Sequence, residues 1–156
     1  MSEQVIKMGG RAQMQLAHAK AALESVRAQL AWTCEVLIPD DPVGELPSAL
    51  EADVPGSLLP RALVARDDLQ EQFVAVLASL PENPPENPLE RLKGLGSAFD
   101  LISQLIAGAY FLDIEINRKL RYPGQDALDY NPDYDEITAT VERFMATGPR
   151  YIPTPV

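Results

Sequence analysis

Cysteine, histidine and tryptophan each occur once in this chain, as Cys34, His18 and Trp32, and each scarcity excludes something. One cysteine leaves no internal disulfide, so Cys34 is read as a small buried helical residue or as a thiol bridging to another chain. One histidine, His18 among lysine and alanines, has no second ligand and no orienting partner. A Ser-His-Asp or Cys-His relay and a histidine-based metal site are therefore excluded within the chain, and His18 is read as a solvent-facing helical residue. Positive charge is also sparse: 13 basic residues against 23 acidic give a net charge of −10. Phosphate contacts need cations, so nucleic acid and anionic lipid are poor partners for such a surface.

Long apolar runs are missing too. The longest, Ala98 to Leu112, is interrupted by Asp100, Ser103 and Gln104 and is too short for a transmembrane span. The opening MSEQVIKMGG has neither an apolar export core nor an arginine pair, which gives a cytoplasmic expectation. No phosphate-binding fingerprint is present, since Gly94 and Gly96 form only an isolated GxG inside KGLGS. That pair reads as a lead into a capped helix. No catalytic residue, cofactor ligand or metal ligand set is assigned to the chain.

What the chain does have is helical periodicity, divided by fourteen prolines. At 156 residues it has the length of one domain, 1–156. Leu16, Leu23, Leu30 and Leu37 recur every seven residues and predict one long helix over 11–38, ended by Pro39. A turn-rich connection follows to Pro55, then a helical region from about Ser57 and a fresh helix capped by Asp67. PENPPENP, residues 81–88, predicts a stiff extended surface spacer. Ser97 is expected to cap a helix over 97–112, apolar nearly all round and therefore central to a bundle or covered by another chain. Asp113 then opens a short helix, and Asp133 or Asp135 caps a last one ending near Ala146. The tail 147–156, with three prolines in GPRYIPTPV, is expected to be an extended arm. No segment alternates as a strand. The expected fold is all-α, an irregular helical bundle with proline-rich loops.

Two features remain for function. Asp126, Asp129, Asp133, Asp135 and Glu136 crowd together without a base. The spacing and mid-loop glycine of a calcium-binding hand are absent, so this reads as a solvated acidic surface or the counterpart of a basic patch. Aromatics gather in the last third: Tyr110, Phe111, Tyr122, Tyr130, Tyr134 and Tyr151. Rings with polar tips are enriched at protein interfaces.

Leu30 to Pro55, LAWTCEVLIPDDPVGELPSALEADVP, joins a helix ending in Ile-Pro-Asp to an acidic loop and an Ala-x-x-Ala-x-Val-Pro segment. Gly108 to Gln125, GAYFLDIEINRKLRYPGQ, sets an aromatic pair at a helix end before a short charged helix and a Tyr-Pro-Gly corner. Together and in this order they resemble the gluconate 2-dehydrogenase subunit 3 family. Its members are small non-catalytic subunits of FAD-dependent dehydrogenases of the glucose-methanol-choline class. The resemblance implies an accessory subunit in a hetero-oligomer, with FAD and substrate held by the large partner. Many such subunits carry a twin-arginine signal; none is seen here, so a periplasmic location implies co-export with a signal-bearing partner. Expected partner contacts are Tyr110, Phe111, Tyr122, Pro123, Tyr130, Tyr134 and Tyr151, with Arg118 and Arg121 forking onto carboxylates. An obligate interface of this kind buries more than about 2,000 Å². The alternative is a self-associating helical adaptor built on the heptad leucines.

Overall fold

A computed structural model describes residues 9–122 and 133–148. The chain divides into two compact units, Met1–Pro123 and Gly124–Val156. Among the described residues there are eight α-helices, one π-helical turn and no strand, so the fold is all-α as expected.

The single long helix over 11–38 is in fact two, α1 (Gly10–Glu24) and α2 (Arg27–Leu37). At the break, the Ser25 hydroxyl donates to the Ala22 carbonyl at 2.6 Å, competing with the backbone ladder. Val26 leaves helical geometry with φ −125° and ψ 23°. The bend turns Leu23, Val26 and Leu30 into the core together. A straight helix drifts away from a strict seven-residue repeat, and this one resolves the drift by breaking. Leu23 and Leu30 are consumed inside the chain, which takes the centre out of the heptad seam a second copy was expected to use.

Pro39 to Pro55 is more ordered than its turn residues indicate. Asp41 and Leu46 exchange backbone hydrogen bonds of 2.9 and 3.0 Å, closing a tight turn through Glu45, whose φ is +54°. Ser48 and Glu51 cap one another, each side chain accepting from the other's backbone N–H. The chain then enters a π turn (Val54–Leu58) followed by α3 (Leu59–Ala65). Pro60 has no N–H to donate back to Gly56, and the wider π turn accommodates this locally.

The short α3 is the hub of this unit. It packs principally against α1, the π turn, α4 (Asp67–Ala78) and α6 (Ser97–Tyr110), and Leu59, Pro60 and Leu63 are buried on it. The long apolar α6, expected at the centre, is one wall instead. It buries Ile102, Leu105, Ile106, Ala109 and Tyr110, while Asp100, Gln104 and Gly108 form an exposed line one turn apart. Phe73 and Leu77 of α4 close the core from another side.

Several expected boundaries shift. Asp67 is the first residue of α4 and gives no cap hydrogen bond. Ser97 is likewise inside α6, whose N-cap is Gly96 at φ +61° and ψ −128°, a conformation that glycine alone adopts readily. The helix ends at Tyr110, two residues early. The spacer over 81–88 is surface-lying only as far as Asn87, because Pro88 opens an unexpected helix, α5 (Pro88–Lys93), where its missing N–H costs nothing. The spacer's start is tied down: Trp32 Nε1 donates to the Pro81 carbonyl at 3.0 Å. Asp113, by contrast, caps α7 (Ile114–Lys119) as expected, accepting from the backbone N–H groups of Glu115 and Ile116.

Cys34 is fully buried, and burial pushes its thiol up to about 12. It is the small core residue of the first reading; no bridge to another chain can reach it in the folded state.

The second unit, among its described residues, is a single helix, α8 (Tyr134–Ala146), with Asp133 accepting from the N–H groups of Asp135 and Glu136. Every described residue of this unit is exposed.

Candidate partner-binding surface

The two segments that carry the family resemblance meet in space. The Tyr110 hydroxyl, at the end of α6, donates to the Pro47 carbonyl at 2.7 Å across 63 residues of chain. Lys119 Nζ, at the end of α7, donates to the Glu45 carbonyl. Burial, followed by the charges of Asp113, Asp41 and Glu51, raises the Tyr110 hydroxyl above its usual value and keeps it a proton donor. Tyr110 is only 3% exposed. It fastens the junction from inside and has no surface for a partner, which corrects its expected role as a contact.

Next to it, the ring of Phe111 stands edge-on to Tyr110 at 5.5 Å and 76° and points outward, 49% exposed. Its carbonyl accepts from Asn117 Nδ2 at 2.9 Å, holding the α6–α7 corner. Around that corner lie Leu112, Ile114, Leu120 and Tyr122, all exposed, Ile114 at 64% and Tyr122 at 60%. Phe111, Asn117, Leu120 and Tyr122 line an open notch of about 500 Å³. Leu112 is also part of a second groove, about 460 Å³, between α3 and α6. Its floor is Ala62, Leu101, Leu105, Gly108 and Ala109, with Arg61 and Arg66 at its edge. The notch and the groove have no lining residue in common; Phe111 lines the first and its chain neighbour Leu112 the second.

The cationic contacts differ from one another. Arg118 pairs with Glu115 one turn away on α7, so it is partly neutralised within its own helix. Arg121 makes no ion pair among the described residues. It occupies the left-handed position after α7, φ +55°, with Tyr122 N–H reaching back to Asn117 O at 2.9 Å and Arg121 N–H to Arg118 O at 3.0 Å. This is the double hydrogen bond of a Schellman stop, made without the usual glycine. It is what presents Tyr122 on the surface. Tyr134 is the first residue of α8 and is exposed. Pro123, Tyr130 and Tyr151, the acidic residues Asp126 and Asp129, and the tail beyond Gly148 lie outside the described residues.

Sequence reading passed over Leu112, Ile114 and Leu120, and with them Ile137, Val141, Phe144 and Met145 of α8, every one exposed. For α8 the signal was present, since those four follow helical spacing. For the α6–α7 corner it was not, because exposure there depends on where the helix turns.

Among the described residues, no buried side-chain nitrogen or oxygen lacks a hydrogen-bond partner, no three His, Cys, Asp or Glu side chains converge as metal ligands, and no helix is long and apolar enough to cross a membrane. Among the described residues of the first unit, the feature that stands out is exposed apolar surface. No protein-family model matches the chain, and no curated protein or solved structure matches it.

Proposed function

We propose that this chain is a non-catalytic accessory subunit that covers its α6–α7 face with a large flavin-dependent dehydrogenase subunit and stabilises it. One observation carries the first half of this reading. Phe111, Leu120 and Tyr122 line one open notch, with Leu112 and Ile114 also exposed, on a unit whose buried side-chain nitrogens and oxygens all have partners among the described residues. Grouped exposure of this kind marks an interaction site, unlike scattered apolar residues. The second half, the flavoprotein partner with FAD and substrate in its own body, rests on the two segments that resemble the gluconate 2-dehydrogenase subunit 3 family. Their meeting at Tyr110–Pro47 and Lys119–Glu45 gives those segments a common structural purpose. They build the support beneath the exposed corner.

Self-association through the heptad leucines has less support, because Leu23 and Leu30 are 3% and 2% exposed and have no face left to offer. The test is co-expression with a glucose-methanol-choline-type dehydrogenase large subunit from the same genome. The expected result is a flavin-loaded, active large subunit that depends on this chain for recovery and is no longer recovered when Phe111 and Leu120 are both changed to Asp. A large subunit equally stable, flavin-loaded and active without this chain overturns the reading.

A further inference from the structure

Between α1 and α4 runs an open groove of about 570 Å³ that shares no lining residue with the α6–α7 notch. Leu63 of α3 lies at its floor, and Met14 and His18 of α1 face it from one side. From the other side come Asp67, Gln70 and Glu71 of α4, which share a helix face because they are three and four residues apart. Gln70 is the unusual member. It belongs to the buried stripe of α4 with Phe73 and Leu77 and is 8% exposed. Its side-chain amide has no hydrogen-bond partner among the described residues. No enclosed side-chain nitrogen or oxygen among them goes without a partner. The amide is therefore the part of Gln70 that is still reachable, and it is reached through the groove it lines. A glutamine in a core stripe leaves a largely desolvated amide unpaired, which is costly unless something pairs with it.

The rim decides what fits above that amide. Asp68 is already engaged, accepting from Arg66 through both carboxylate oxygens at 2.9 Å. Asp67 and Glu71 form no ion pair among the described residues. Two uncompensated carboxylates repel an anion and attract a cation. A bare metal ion is a poor match, because calcium needs about six oxygens or more and no three His, Cys, Asp or Glu side chains converge here as ligands. An ammonium group asks for less. It carries three N–H donors and no acceptor, and the Gln70 amide oxygen with the Asp67 and Glu71 carboxylates supplies three acceptors. Met14 and Leu63 add apolar surface along which a short carbon stem can lie.

The geometry points to the α1–α4 groove as a binding site for an aliphatic primary amine in its ammonium form. Gln70 Oε1 accepts from the ammonium at the floor, Asp67 and Glu71 accept at the rim, and the carbon stem lies along Met14 and Leu63. This site is independent of the accessory-subunit reading.

The experiment titrates the isotope-labelled full chain with n-butylammonium chloride and follows its amide resonances by NMR. Tetramethylammonium chloride, which has the charge but no N–H to donate, is the control at equal ionic strength. The expected result is a saturable shift of the Gln70 side-chain amide and its α4 neighbours with butylammonium and none with the control. Asp67→Asn with Glu71→Gln, both at exposed positions, is expected to weaken binding by about 10-fold or more. Gln70→Met keeps the apolar stem and removes the amide. It is expected to weaken binding by about 5-fold or more while the melting temperature stays level or rises, because an unpaired polar group leaves the core. Shifts that never saturate, or an equal response to tetramethylammonium, overturn the proposal. So does the same saturable response to calcium chloride at lower concentration, which makes the groove a metal site. A melting temperature lowered by several degrees in Gln70→Met shows that the amide already has a structural partner, and this also overturns the site.

Discussion

Helices α6 and α8 are nearly equal in length, 14 and 13 residues, and each bears at least five large apolar or aromatic side chains. Their fates are opposite. α6 buries Ile102, Leu105, Ile106 and Tyr110, whereas α8 buries nothing. Both patterns satisfy the same sequence rule, that apolar residues three and four apart share a face. The rule says a face exists and leaves open what covers it. Around α6 the cover is α3, the π turn and α4, whereas every described residue of α8 is exposed. The first pattern contributes to the fold of its unit, and the second leaves its face exposed.

This contrast can be tested by mutation, and the largest effect belongs to the core. Phe73→Ala, at a fully buried ring, is expected to cost about 3–5 kcal/mol of stability in thermal or denaturant unfolding. A cost below about 1 kcal/mol would mean that the first unit is loosely packed and the contrast overdrawn. Gly96→Ala comes next. Nothing lies within 4 Å of the added methyl group, so its cost, about 2 kcal/mol, comes from the φ of +61° alone. Equal stability of that variant in urea titration would show the turn to α6 free to relax.

The buried thiol tests the same core by pH. Cys34 is held protonated up to about 12 in the folded chain, whereas the unfolded thiol ionises near its ordinary value. Stability is therefore fully present below that ordinary value. It declines by about 1.4 kcal/mol for each pH unit above it, until the folded thiol also ionises near 12. Thiol labelling at pH 8 is expected to follow global unfolding. Rapid labelling of the native chain would contradict the burial.

Smaller still is Arg121→Gly. It relieves a left-handed non-glycine residue and is expected to raise stability by about 0.5–1 kcal/mol, visible as a higher melting temperature. The smallest effect is Phe144→Ala on the free chain, within about 0.5 kcal/mol of wild type. Set beside Phe73→Ala, it measures directly how unequally two phenylalanines of one chain serve its fold.

The exposed corner shows where sequence reading stops. Tyr110 and Phe111 are adjacent aromatics at a helix end, and composition treats them alike. One is core and the other surface because the chain leaves α6 between them, and because Pro47, far away in sequence, offers a carbonyl to the first. Arg121 gives the same lesson. Sequence rules place glycine after a helix, and here the Schellman geometry is held by Arg121, with Tyr122 N–H closing onto Asn117.

The sequence by itself determined the all-helical class and the Asp113 and Asp133 caps. These depend on periodicity and on side chains bonding their own near neighbours, both of which are local. Only the tertiary structure decided that the first helix breaks at Ser25–Val26, that α3 is the hub, and that Tyr110 is buried while Phe111 is exposed. Those outcomes depend on which distant surfaces meet. That is set by the fit of the whole core and cannot be read from any one segment.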